Sequence, residues 1–241
     1  EQGYKAFYIA IGCQGGRLTG VPGEDAEGVY TAVEFLHAAA EENKFDIGKN
    51  VVVVGGGNVA IDAARVSVHC GAEKVAMYCL ESREEIAAAD DEVEEALEDG
   101  ASINNGWGPK EIIKDENGKV KAIVFKKCVS VFDDEHRFSP VYDEDDTVTV
   151  ECDNVILSIG QAIEWGGLLD GTAVELNRNM TAQADTFTFH TGEPDIFVGG
   201  DALTGPRFAI DAIAMGKEGA ISIHRYVQPH STLTIGRNPR Y

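Results

Sequence analysis

The chain has 241 residues, enough for two modest cores or one large one, and its 44% hydrophobic and 25% charged content is that of an ordinary globular protein. A formal net charge of −21 repels nucleic acid and anionic membrane surfaces, and no apolar run approaches the roughly 20 residues needed to cross a bilayer. Five cysteines (Cys13, Cys70, Cys79, Cys128 and Cys152) stand too far apart in sequence for a dithiol pair or a metal knuckle, which points to reduced thiols, a cytoplasmic location and no metal site.

Glu1-Gln2-Gly3 offers no basic leader and no initiating Met, so the opening reads as the interior of a longer chain. Ala6 to Ile11 is an apolar run ending at Gly12, the pattern of a buried strand that opens into a glycine-rich loop. Val21 to Asp25 is a turn, and Tyr30 to Ala40 has helical periodicity. The polar stretch Asp46 to Asn50 marks a domain boundary. Val51 to Val54 is a buried strand, followed by three glycines and a helix from Asn58 to about His69 that Gly71 terminates. Lys74 to Leu80 is the next strand, so the unit is strand–helix–strand with the two strands parallel. A helix from about Ala88 to Asp99 stops at Gly100. Between Glu81 and Gly100 ten acidic residues stand against one basic residue, Arg83, which reads as a solvated helix face or as a docking face for a basic partner. Beyond it, Ile112-Ile113 and Val120 to Val131 flank the hairpin signal Asn117-Gly118, and Thr147 to Cys152 alternates. This is an antiparallel meander placed before the parallel strand Val155 to Ile159. Ile196 to Val198 is a further strand ending in Gly199-Gly200-Asp201, and Phe208 to about Arg225 is a helix.

Gly55-x-Gly57-x-x-Ala60 stands where a phosphate-binding fingerprint has to stand, after a buried strand and at the opening of a helix. Gly55 permits the tight turn, Gly57 lacks a Cβ that would block a pyrophosphate, and Ala60 lets the helix pack close to the strand. The pyrophosphate then meets the free N–H groups around Asn58 and Val59 at the positive end of the helix. At the end of the second strand, Glu81 sits at the distance expected of a carboxylate that binds the ribose hydroxyls and repels a 2′-phosphate, which favours NAD over NADP. Ser82 and Arg83 follow directly and are the residues that could hold a 2′-phosphate instead.

Three blocks resemble the glutamate synthase small-subunit-like flavoproteins of the pyridine nucleotide oxidoreductases. They are Ala10-Ile11-Gly12 with Pro22 to Asp25 after it; Val51 to Asp62 with its Gly-Gly-Gly-Asn-Val-Ala-Ile-Asp; and Ile196 to Asp201 with Ala209-Ile210-Asp211-Ala212. Ile156 to Gln161, with Gly160, is similar to the strand by which that family leaves the nucleotide domain. The resemblance implies a three-layer α/β FAD/NAD(P)-binding Rossmann-like fold with an antiparallel β-meander. It divides the chain into residues 1–45, a remnant of an FAD domain and connecting segment; 46–161, an NAD(P)-binding domain; and 162–241, the rest of the FAD domain. Asp201 then belongs to the flavin ribityl or pyrophosphate region, Gly12 and Gly200 to the same side, and the helix starting near Ala209 and Ile210 points its N-terminal dipole at the flavin ring. The family's first FAD unit, with its own glycine fingerprint and iron–sulfur part, is expected ahead of residue 1. FAD is accordingly a cofactor of the parent and weakly held by this chain.

NADPH-using relatives carry Tyr-Arg-Arg where Cys79-Leu80-Glu81 stands here. The parent reaction implied is hydride transfer from NAD(P)H to FAD, with electrons passing to iron–sulfur centres, a partner subunit or a ferredoxin. Such a transfer requires orientation more than proton handling, and no residue is assigned a catalytic role. Two other readings remain: a stand-alone nicotinamide dehydrogenase, and a non-catalytic nucleotide-binding or assembly module.

Overall fold

The computed structural model describes residues 3–42 and 45–231. Contacts divide the chain into two units, residues 1–15 with 161–241 and residues 16–160. This division and the one read from the sequence differ over residues 16–45 and at Gln161. The elements, in chain order, are β1 (Phe7–Ile9), β2 (Val29–Thr31), α1 (Ala32–Glu42), β3 (Asn50–Val54), α2 (Asn58–His69), β4 (Lys74–Cys79), α3 (Asp90–Glu98) and β5 (Ser102–Asn105). They continue with β6 (Trp107–Lys114), β7 (Val120–Phe132), β8 (Phe138–Glu151), β9 (Asn154–Leu157), β10 (Ile196–Val198), α4 (Asp201–Thr204) and α5 (Ala209–Val227).

In the unit of residues 16–160, five parallel strands run in the order β2-β9-β3-β4-β5, and β6-β7-β8 form a separate antiparallel sheet. Successive valines of β3 explain the layering, because side chains alternate across a strand. Val51 and Val53 pack with Ile61, Ala64, Val75, Met77, Val93 and Ile156 on the helical face. Val52 and Val54 pack with Ile112, Ile123, Phe125, Val155 and Leu157, so the antiparallel sheet covers the other face. A central strand buried on both sides reads as a continuous apolar run, and Val51 to Val54 is 2% exposed or less at every position. The three-layer architecture with an antiparallel meander expected from sequence is therefore present.

Three elements differ from expectation. Tyr30 belongs not to a helix but to β2, whose Val29, Tyr30 and Thr31 pair in parallel with Val155, Ile156 and Leu157. The helix starts two residues later, at Ala32, because Thr31 and Glu34 form a capping box: the Thr31 N–H donates to Glu34 Oε2 (2.9 Å), and the Glu34 N–H donates to Thr31 Oγ1 (3.3 Å). The polar β5 was not evident in the sequence, yet Ser102 to Asn105 pair with Ala76 to Cys79. β8 begins at Phe138, well before the alternating stretch from Thr147, and reaches past the sheet with β7 as an arm whose register shifts three times.

In the other unit β1 and β10 pair in parallel, Phe7 to Ile9 against Ile196 to Val198. Ile9, Ile163, Trp165, Phe189, Val198, Ala202 and Leu203 form its core. Tyr8 passes between Gly199 and Gly219, where a Cβ would lie 1.9 Å and 2.2 Å from its side chain, and its hydroxyl donates to the Met215 carbonyl at 3.0 Å.

Candidate nucleotide site

Parallel strands place their ligand crevice beyond their carboxyl ends, and β3 delivers the glycine turn there. Gly55 has φ +143°, and its N–H donates to the Tyr78 carbonyl at 2.9 Å. A Cβ at Gly55 would stand 2.2 Å from the Ser158 carbonyl oxygen, so crowding by the chain just beyond β9 already demands glycine. Gly57 is different. It has ordinary extended backbone (φ −95°, ψ 172°), and a Cβ built there meets nothing within 4 Å. Its missing side chain leaves open space at the start of α2.

No side chain caps that start. By helix geometry the N–H groups of the first turn, around Asn58 and Val59, point outward without intrahelical partners and carry the positive end of the helix dipole. Ala60, fully buried, donates its N–H to the Gly57 carbonyl at 2.9 Å and lets α2 lie against the sheet. The open cradle at Gly57 and the bare helix end fit the diphosphate of a dinucleotide.

The end of β4 forms the wall of the turn. Glu81 is half-buried, and its Oε2 lies 2.9 Å from where a Cβ on Gly56 would stand. Its backbone is fixed: the Glu81 carbonyl accepts from Gly106 N–H and from Asn105 Nδ2, both at 3.1 Å. Beneath it the Cys79 thiol, pushed up to about 12 by burial and then by the Glu81 charge, is a packing group and not a nucleophile. Ser82 and Arg83 turn to other partners. The Ser82 hydroxyl donates to Glu85 Oε2 at 2.9 Å, and Arg83 faces Asp90 at 3.6 Å. Gly160 lies two residues past Ser158 with its carbonyl accepting from Arg17 N–H at 3.2 Å.

The remaining residues singled out from the sequence lie in the other unit. Gly12 follows β1 and Gly200 follows β10, both with φ +65°. Asp201 opens α4 and accepts the Arg207 N–H on Oδ1 at 3.3 Å, so its carboxylate braces the loop ahead of α5. Ala209 and Ile210 begin α5, whose N-terminus also lacks a side-chain cap; Ile210 is 70% exposed. The structure thus brings Gly55, Gly57, Asn58, Val59, Ala60, Glu81, Ser82, Arg83 and Gly160 to one unit, and Gly12, Gly200, Asp201, Ala209 and Ile210 to the other. Sequence reasoning missed Gly56 and Asn105. Gly56 is buried, with Glu81, Cys79 and Ile86 around it, and in the sequence its flanking glycines conceal it. Asn105 lies on β5, whose one apolar residue, Ile103, is too little to mark a strand.

Residues 1–216 match the family model described as pyridine nucleotide-disulphide oxidoreductase. The NADP(+)-dependent formate dehydrogenase subunit beta of Moorella thermoacetica is 34% identical over 96% of this chain and 33% of its own length. The glutamate synthase [NADPH] small chain of Escherichia coli is 30% identical over 93% of this chain and 51% of its own. The chain therefore spans between a third and about half of these relatives. Among solved structures, FprA from Mycobacterium tuberculosis in complex with NADPH superposes with a TM-score of 0.73 at 17% identity, covering 94% of this chain and 64% of that one. T. acidophilum thioredoxin reductase gives 0.71 at 20% identity over 94% and 66%. At those identities the likeness shows the fold. The family match covers most of the chain, and the protein belongs to the pyridine nucleotide-disulphide oxidoreductase family, with the glutamate synthase small chain among its relatives.

Proposed function

We propose that this chain is the nicotinamide-dinucleotide-binding portion of a flavoprotein oxidoreductase similar to the glutamate synthase small subunit, and that it prefers NADH. The observation that carries the reading is the open space at Gly57 before the uncapped start of α2, with the Glu81 carboxylate across the turn. The N–H groups of Gly57, Asn58 and Val59 would hold the diphosphate, and Glu81 would accept hydrogen bonds from the adenosine ribose. Ser82 and Arg83 are already engaged with Glu85 and Asp90, which leaves the carboxylate to face the 2′ position. The names of the two relatives above point to NADP, so the preference rests on Glu81.

Bound nicotinamide supplies a hydride; in the whole protein the resemblance assigns its receipt to FAD and its onward passage to iron–sulfur centres or a partner subunit. The chain's own residues contribute binding and orientation. Residues 16–160, whose β2 and α1 complete the sheet and its helical face, form the nucleotide domain in this reading, with residues 1–15 and 161–241 on the flavin side. Fit to a flavin is partial, because the Asp201 carboxylate is engaged by Arg207 N–H and only the uncapped start of α5 is open. The test is calorimetric titration of NADH and NADPH into the chain. Tighter binding of NADH supports the reading, tighter binding of NADPH overturns the Glu81 assignment, and no binding of either overturns the site.

A further inference from the structure

The segment from Ser82 to Ala89 contains neither helix nor strand, yet it forms the wall beside the nucleotide turn. At its start, Asn105 and Gly106 hold the Glu81 carbonyl. At its end, two hydrogen bonds tie it to the turn itself. Ala88 N–H donates to the Gly56 carbonyl and Ala89 N–H donates to Asn58 Oδ1, both at 2.9 Å. Ile86 lies against Gly56, its Cγ1 3.3 Å from where a Cβ would be, and Ala88 is buried in the helical-face core. The first tie is between backbones and is indifferent to side chains. The second exists only because residue 58 is Asn.

The helix gives no reason for that choice. Asn is a poor helix former, and a capping side chain belongs one position earlier, where Gly57 stands. Nor does the donor leave the orientation of the amide open: an N–H has to meet the side-chain oxygen. Ala89 is in turn the residue that precedes α3, with extended backbone and no side-chain cap of its own. Asn58 thereby joins the starts of α2 and α3 and closes the segment over Gly56.

We propose that Asn58 is a positioning residue: its side chain clasps the Ser82–Ala89 segment to the glycine turn and so fixes where the Glu81 carboxylate meets the nucleotide. Gly56 completes the device, since a Cβ there would stand 2.9 Å from Glu81 Oε2 and 3.0 Å from Cys79 Cβ. This rests on the reading of Glu81 as the ribose-binding carboxylate. It differs from a direct role for the Asn58 side chain in one measurable way. A side chain that only touches the diphosphate acts independently of Glu81, whereas a clasp makes the two residues interdependent.

The experiment is a double-mutant cycle on NADH affinity, measured by calorimetry on the whole chain. Glu81→Gln weakens NADH about tenfold in the unaltered background and no more than about twofold in the Asn58→Ala background, where the carboxylate is no longer held in place. Asn58→Asp keeps the acceptor, adds a charge that lowers overall affinity, and preserves the near-tenfold step. A full tenfold step in Asn58→Ala overturns the clasp and leaves the site intact. No step in the unaltered background removes the Glu81 assignment and the clasp with it, while absence of NADH binding removes the site as a whole. If Asn58→Ala does not fold, hydrogen exchange on the unaltered protein decides: the Ala89 amide exchanges slowly if clasped, and exchange at the rate of a free loop amide overturns the proposal.

Discussion

Helices α2 and α5 both begin without a side-chain cap, and the difference between them separates what the geometry argues from what the resemblance argues. α2 buries Ala60, Ile61, Ala63, Ala64 and Ser67 within its own unit, and at its N-terminus the space that a Gly57 side chain would take stands open. α5 is longer, 19 residues, and buries only Gly219, while Phe208, Ile210 and Ile213 are 76%, 70% and 59% exposed. Packing thus singles out the start of α2 as the place where something else belongs. α5 packs along one side, with Gly219 against Tyr8, Met215 at the core and Tyr226 beside Phe197, but none of these lies at its start, and the flavin-side role of Gly12, Gly200, Asp201, Ala209 and Ile210 stands on the resemblance alone.

The comparison breaks most sharply at the glycines of the α2 turn. Gly55→Ala places a Cβ 2.2 Å from the Ser158 carbonyl on a backbone with φ +143°, and we expect a loss of about 3 kcal/mol or more in a denaturant melt. Gly57→Val, on extended backbone facing open space, leaves stability unchanged within about 0.5 kcal/mol and weakens dinucleotide binding about a hundredfold or more. A destabilised Gly57→Val, or an unaffected affinity, removes the distinction between a glycine the fold requires and a glycine the ligand requires.

A second contrast sets the two helices side by side. Ile61→Ala in α2 costs about 2–4 kcal/mol, because Ile61 is wholly buried; Ile213→Ala in α5 changes stability by less than about 0.5 kcal/mol. Equal costs in a urea melt would mean that α5 is packed in solution in a way its exposure contradicts. Smaller still is the loss from Thr31→Ala, about 1 kcal/mol, because one capping box at the start of α1 is removed and no core residue moves.

The sequence disclosed the turn because its signals are local and redundant. Four valines give a strand buried on both faces, the glycines and Ala60 fall at fixed offsets, and Glu81 stands at the end of the next strand. It did not disclose β2, because Tyr30 carries the periodicity of the helix that follows, and only pairing with Val155 to Leu157 makes it a strand. β5 is too polar to announce itself; its place comes from pairing with β4. The roles of Gly56, Asn58 and Asn105 are set by residues far away in sequence, such as Ala89 for Asn58, and no spacing rule connects them.

The most direct test of the central claim is to locate bound NADH by hydrogen exchange. The account predicts slowed exchange confined to two segments, residues 55–60 and 81–89, with the β7–β8 arm unchanged. Binding that protects other segments and leaves residues 55–60 at their free rate would contradict it.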